Sequence, residues 1–384
     1  MKPATTRADR IFYALVGLWC LMIAGIAVVS GRHGPAGLPK PYPVAVWHRS
    51  ALYAPNVSGK QALAMAHSPD ARTRALADVF IAAQQVYGYR HAIPADRATG
   101  LATLASRCAA GDDRVVRVAA CSSLGDIRLF GAGSDRTVVD LAAAQRAYAA
   151  AIAAGSARSA AQAAVLLQLH PKVAVLPVLS AAAAGALSGA AAAPTAGSLR
   201  DALYHVSALR GYHRGCFAYA SLLIRRYARL KTTDPTRAAK LHGEGERWMV
   251  TAATLPYPSE SAERFVGDAW LEGFWNLTRS DREAAVWYTR AMHDGSARAA
   301  FQLARLYALG KIVPDGPPTA PVRAIAAAEL AAQMTKKGTG LHHRASALAV
   351  AVATDQSSGV GDEAAKYGAT LFRTYPRLSF ALND

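Results

Sequence analysis

The feature that most constrains the fold is a residue register that recurs along the chain. The tetrapeptide Gly-Ser-Ala-Arg stands at 155–158 and again at 295–298. The second copy precedes Leu303, Tyr307 and Gly310, a leucine, aromatic, glycine register on one helix. Counterparts of Leu303 give anchors at 124, 163, 223, 266 and 303, separated by 39, 60, 43 and 37 residues. Three of these four gaps have the length of one two-helix repeat, so the sequence predicts a solenoid.

The composition and the turn sequences favour helices throughout the repeated region. Segments with apolar positions three and four residues apart are separated by short turns that offer Ser or Asp as helix N-caps. Valine, isoleucine and threonine do not cluster in alternating runs, and the hydrophobic fraction of 52% is rich in alanine. We therefore predict an all-α fold of helical hairpins that pack closely through small residues.

The stretch 284–313 matches the spacing of a known two-helix repeat. The matching residues are Ala284, Trp287, Tyr288, Ala291, Gly295, Ala299, Leu303, Tyr307, Gly310 and Val313. On this spacing the chain resembles the Sel1-like repeat family, whose members are relatives of tetratricopeptide repeats. A less regular copy keeps Trp248, Gly267, Trp270 and Gly273. The resemblance is strong over 245–316, extends more weakly over about 110–355, and implies an α-solenoid.

The resemblance implies structural roles for the matched residues. Gly295 ends the first helix in a position that tolerates a positive φ, so the chain can reverse at once. Ala291 allows a close helix approach, while Trp287 fills space between hairpins. An aromatic ligand groove is the alternative to this core role. Ala304 and Ile312 stand where the family has glycine, so we expect the turn after the second helix to differ.

The N-terminal region predicts a membrane anchor. Residues 11–30 carry no charge and are long enough to cross the bilayer as a helix. Lys2, Arg7 and Arg10 precede them, which favours a cytoplasmic tail at 1–10 and an exported remainder. Residues 31–55 contain five prolines and are expected to be a stiff linker before a solenoid at 56–384. A cleaved signal peptide, or a lipoprotein modified at Cys20, is a less favoured alternative.

An alanine-rich insertion at about 173–197 lengthens one of the repeat gaps. It lacks any charge, so a second membrane helix is one interpretation. Alanine contributes little to insertion, however, and Pro177 interrupts the run. We therefore favour a buried helix in the stack followed by a loop.

The charge pattern favours anionic partners without indicating nucleic acid. The formal net charge is +17, but it is scattered along the chain and no nucleic-acid-binding motif is present. The densest basic cluster consists of Arg225, Arg226, Arg229 and Lys231. This cluster is a candidate patch for an anionic partner, with a solvated helix face as the favoured alternative.

A search for catalytic or metal-binding patterns predicts neither chemistry. His205, His213 and Cys216 lack a fourth ligand at zinc-site spacing, and the sequence contains no nucleophile or phosphate-loop motif. No metal, cofactor or enzymatic activity is expected. Cys108 and Cys121 flank a predicted turn at unequal distances, so two separate buried thiols are the default, with a single bridge left open.

These features together predict a membrane-anchored scaffold. Membrane-tethered bacterial relatives implied by the resemblance include scaffolds of exopolysaccharide synthesis and export, so we expect a single-pass inner-membrane protein with its solenoid in the periplasm. Other envelope proteins are the expected partners, with anionic polysaccharide or peptidoglycan as further candidates. Two alternatives remain: a repeat protein that binds or hydrolyses cell-wall fragments, whose relatives carry a cysteine pair in each repeat, and a cytoplasmic-facing adaptor.

Overall fold

The fold is all-helical wherever it is described. The computed structural model describes residues 38–41, 58–88, 93–110, 113–132, 137–188, 199–356 and 359–375. Within these ranges there are sixteen α-helices, one short 3₁₀ turn at Phe274–Asn276 and no β-strand. The all-α prediction is confirmed. The predicted anchor at 11–30 lies outside the described residues, and none of the described helices is both long and apolar enough to span a membrane.

The helices follow the predicted segments and turns. They are α1 Gly59–Ala66, α2 Ala71–Tyr87, α3 Arg97–Ala109, α4 Arg114–Phe130, α5 Leu141–Ala153, α6 Ala157–Leu169, α7 Pro177–Leu187, α8 Leu199–Leu209, α9 His213–Leu230, α10 Pro235–Thr254, α11 Glu260–Glu272, α12 Asp281–His293, α13 Ala297–Ala308, α14 Ala320–Gln333, α15 Gly340–Thr354 and α16 Val360–Thr374.

The hairpins stack in chain order, as a solenoid requires. The second helix of each hairpin packs against the first helix of the next, as in the pairs α4 with α5, α6 with α8, α9 with α10, α11 with α12, and α13 with α14. A continuous apolar core runs from Leu129 to Leu371, and a second core cluster joins α1 to α5. Each repeat is thus stabilised by the apolar contacts that it makes with its neighbours along the stack.

The repeated Gly-Ser turns have the same geometry in both copies. Gly155 and Gly295 adopt φ values of 97° and 96°, which a residue with a Cβ rarely reaches. In each copy the serine amide donates to the carbonyl five residues earlier at 2.8 Å, the pattern of a Schellman turn. The side chains of Ser156 and Ser296 then cap the next helix. One dipeptide therefore ends one helix and starts the next.

The alanine-rich insertion forms a short helix on the stack. α7 has 11 residues and packs against α5 and α8. The buried side chain of Gln145 fixes its start, since it accepts from the Leu176 amide at 2.8 Å and donates to the Ala174 carbonyl at 2.9 Å. Leu179 and Ala183 are buried, while most of the remaining helix is not. This helix packs on the stack but is mostly not buried, whereas a buried helix was expected, and the loop expected after it lies outside the described residues.

The two cysteines that flank a predicted turn, Cys108 and Cys121, form a disulfide. Cys108 and Cys121 are bridged, with their Cα atoms 4.7 Å apart. The default expectation of two separate thiols was wrong. The unequal spacing does not keep the residues apart because Cys108 lies in the last turn of α3, directly beside α4. Cys216 is a buried free thiol.

Candidate binding surface

Most of the predicted repeat-signature residues lie inside the stack. The buried members are Trp248, Gly267, Trp270, Trp287, Tyr288, Ala291, Ala299 and Leu303. Gly273 and Gly310 end their helices with φ values of 74° and 62°. These aromatic side chains therefore fill the core and do not line an open ligand groove.

One signature residue, Val313, is exposed and does not lie inside the stack. Val313 is 84% exposed, while its neighbour Ile312 is buried. Isoleucine replaces the family's glycine at 312, and this larger apolar side chain takes the buried position. Tyr307 is half-buried beside the same turn.

The joint between α11 and α12 is built on a glycine, an aspartate and a tyrosine. A Cβ at Gly267 would come within 2.7 Å of the Tyr288 ring, so the ring packs directly on the α11 backbone. Tyr288 donates to Asp268 at 2.8 Å, and Arg264, one turn earlier on α11, pairs with the same carboxylate. Burial raises the pKa of Asp268, and the charge of Arg264 opposes that rise. The joint therefore encloses a hydrogen-bonded ion pair.

The joint between α4 and α5 repeats this plan. A Cβ at Gly125 would approach the Tyr148 ring to 2.5 Å. Tyr148 donates to Asp126 at 2.8 Å. Arg158 donates to the second carboxylate oxygen at 2.6 Å, but from α6 rather than from the aspartate's own helix. The buried network therefore connects three helices.

A buried pair of acidic groups lies beside the α11–α12 joint. Glu263 is only 3% exposed. Burial and then the neighbouring Asp294 raise the pKa of Glu263 to about 9, while Arg290 opposes the shift. As a carboxylate, Glu263 would leave its Oε2 buried without a donor among the described residues. The raised pKa and the unpartnered oxygen both favour the protonated form of Glu263.

The residue next to this pair is a neutral histidine. The His293 ring stacks on Tyr375, which follows α16, with ring centroids 3.5 Å apart and planes 12° apart. Burial lowers the pKa of His293 to about 4. His293 and Asp294 therefore connect the C-terminal end of α12 to two neighbours. Asp294 interacts with Glu263 of α11, and His293 stacks on Tyr375 after α16. Since the Glu263 side chain is enclosed, the geometry supports a packing role.

The predicted basic patch is divided by the fold. Arg225, Arg229 and Lys231 are exposed near the C-terminal end of α9. Arg226 is half-buried and pairs with Asp201 on α8, so its charge is used within the stack. The three exposed cations are close in sequence at one helix end, where they remain a candidate surface for an anionic partner.

The histidines and cysteines considered as metal ligands have other surroundings. His205 stacks on Tyr219 with centroids 4.6 Å apart. Cys216 donates to the Ala208 carbonyl at 3.5 Å, and burial raises the pKa of its thiol to about 12. Over the described ranges, no three His, Cys, Asp or Glu side chains are arranged to hold a metal ion.

Comparison with known proteins finds similar solved structures, two of which are described below. No family model and no curated protein matches the chain. The c5321 protein, a protective antigen present in uropathogenic Escherichia coli strains displaying an SLR fold, matches over 81% of this chain and 70% of that chain, with 17% identity and a TM-score of 0.34. A Sel1 repeat protein from Oxalobacter formigenes matches over 72% and 92%, with 16% identity and a TM-score of 0.43. Both neighbours are Sel1-type repeat proteins.

The Sel1-like register does not include the polar residues of the joints. Asp126 and Asp268 each follow a glycine and precede a tyrosine by about twenty residues, and this shared pattern could have identified them. Glu263 carried no such signal. It follows Ser259 in the first turn of a helix, where an acidic side chain is ordinarily solvated.

Proposed function

We propose that this protein is a membrane-anchored scaffold of a bacterial cell-envelope assembly. Residues 11–30 anchor it in the inner membrane, and the stacked hairpins bind other envelope proteins in the periplasm. The observation that carries the proposal is that buried polar residues of the repeats hold neighbouring hairpins together. Asp126 and Asp268 serve joints between hairpins, so the stack is a shaped support, and binding falls to the side chains that differ between copies.

Two further features support an exported, anion-binding domain. The Cys108–Cys121 bridge is of a kind that persists in oxidising compartments such as the periplasm. The net charge of +17 favours anionic partners, and three cations near the C-terminal end of α9 are exposed: Arg225, Arg229 one turn later, and Lys231 directly after the helix. An assembly that makes or exports an acidic exopolysaccharide would present such partners, and this is the pathway we propose.

Topology is tested by fusing a reporter that is active only in the periplasm to the C-terminus of the full chain. Activity is expected from this fusion and not from a matched fusion placed before residue 11. The opposite result would contradict the periplasmic proposal and support the cytoplasmic-facing adaptor.

Partner binding is tested by charge reversal in the full chain. Crosslinking in membranes should recover specific envelope proteins. The variant Arg225→Glu, Arg229→Glu, Lys231→Glu should reduce that recovery. The control has the same change of charge on and just after α13 and should retain the partners. It carries Arg298→Glu, Arg305→Glu and Lys311→Glu. Equal loss in both variants would indicate nonspecific attraction, and recovery of polymer alone would contradict the scaffold proposal.

A further inference from the structure

Part of the predicted linker is attached to the repeat domain. Leu38 is half-buried and packs against the main core, whereas the Lys40 side chain is exposed. The Lys40 carbonyl accepts a hydrogen bond at 3.2 Å from Nε of Arg247 on α10. This contact joins two positions that are 207 residues apart. We call residues Leu38–Pro41 the strap.

The sequence of the strap suits it for docking in an extended form. Leu38 and Lys40 each precede a proline, and this restricts both residues to extended or polyproline II backbone. Such a segment loses little conformational freedom when it binds. Pro39 and Pro41 have no amide hydrogen, so hydrogen bonding to the strap falls mainly on its carbonyl groups. A guanidinium is a strong donor for a carbonyl, and Arg247 provides one.

We propose that the strap docks on α10 and thereby holds the repeat domain close to the membrane, with the α10 side facing the bilayer. The inference rests on the proposed anchor at 11–30. Residue 30 and Leu38 are separated by eight residue steps, which span at most about 28 Å. Without docking, the next described position in the stack is residue 58, and the 28 steps from residue 30 reach about 98 Å. Docking therefore converts a long spacer into a short tether.

The contact itself is tested by photo-crosslinking in the full chain. A photoreactive amino acid at position 38 should crosslink to α10, whereas the same group at position 40, whose side chain is exposed, should do so much less. Arg247→Ala removes the hydrogen bond to the Lys40 carbonyl and should lower the ratio of docked to undocked strap about three- to tenfold. Arg237→Ala, an exposed arginine on the same helix, is the control and should leave the crosslink unchanged. Absence of crosslinks to α10 from position 38 would overturn the docking.

The tether is tested by moving the same insertion from one side of the strap to the other. Ten Gly and Ser residues are inserted between Gly34 and Pro35, or between Val46 and Trp47, and energy transfer is measured from a dye at Lys240→Cys to labelled lipid. The first insertion should reduce transfer, and the second should not. Equal reductions would show that the strap does not hold the domain. If the unmodified chain also showed no energy transfer, the result would contradict the anchor at 11–30. Failure of the strap and failure of the anchor are therefore distinguishable.

Discussion

The α4–α5 joint and the α11–α12 joint are built alike, but the first hydrogen-bond network connects three helices and the second connects two. In both, a tyrosine of the following hairpin packs on a glycine and donates to the adjacent aspartate at 2.8 Å. Asp126 receives its arginine from α6, whereas Asp268 receives Arg264 from its own helix. The first network is also more deeply buried. The same repeat register can therefore support either an ion pair within one helix or a network that connects three helices.

The joints also differ at the position five residues before each aspartate. Cys121 occupies it on α4 and is covalently bonded to Cys108. Glu263 occupies it on α11, where burial and the neighbouring Asp294 raise its pKa. The first joint is therefore expected to respond to reductants and the second to pH. Each of the following experiments perturbs one joint while the other serves as its internal control.

Removal of the aspartates should produce the largest difference between the joints. Asp126→Ala leaves the Arg158 charge without this partner in a buried site and should cost about 3 to 5 kcal/mol. Asp268→Ala leaves a more exposed arginine and should cost about 1 to 3 kcal/mol. Native-state hydrogen exchange of α4 and of α11 measures each local free energy of opening.

The matched control for both aspartate variants is Asp315→Ala. This carboxylate is almost fully exposed and makes only a long ion pair, so its removal should leave both local free energies unchanged. Equal costs for the two joint variants would contradict the idea that the network across three helices carries more energy.

Reduction of the disulfide should give the next largest effect. Breaking Cys108–Cys121 releases a constraint on a short loop, and the local free energy of opening of α3 and α4 should fall by about 2 to 4 kcal/mol. Exchange at α11 and α12 should not change. A reductant is preferred to serine variants because Cys121 is completely buried and a hydroxyl there would be desolvated. A loss of protection at both joints would mean that the stack opens as one unit.

The sequence predicted the helical class and the solenoid but not the polar content of its joints. The spacing of Gly295, Trp287 and Leu303 carries the fold because small and aromatic residues at fixed intervals determine how hairpins stack. The partners of Asp126 are determined by packing between hairpins, and α6 brings Arg158 to it from 32 residues away. Similarly, the docking of the strap depends on tertiary contact with α10, which no local pattern indicates.

The pair of Glu263 and Asp294 should make the free energy of opening of the α11–α12 joint fall as pH rises. The pKa of Glu263 is raised in the folded state, from an ordinary value of 4.5 to about 9. The folded state therefore binds more protons than the unfolded state between these values, and the free energy of opening should fall as pH rises. The slope for one proton is at most about 1.4 kcal/mol per pH unit.

Glu263→Gln should flatten this slope between pH 7 and 9. Burial lowers the pKa of His293 to about 4, which gives the opposite slope below about pH 6.5, so this histidine does not contribute in the chosen range. Glu272→Gln at the exposed end of α11 is the control and should keep the slope of the unmodified chain. A slope that persists in Glu263→Gln would exclude the raised pKa of Glu263 as its cause.

The smallest expected difference lies between the two Gly-Ser turns. Ser156 and Ser296 both cap a helix, but the Ser156 hydroxyl also donates to Ser159 at 2.9 Å, and Ser159 hydrogen-bonds to Ser122 on α4 at 2.7 Å. Ser296→Ala should cost about 0.5 to 1 kcal/mol, the loss of a cap alone. Ser156→Ala should cost about 1 to 2 kcal/mol, because a buried hydroxyl also loses a partner. Exchange of α6 and α13 amides measures both, and equal costs would show that the serine chain adds nothing to its joint.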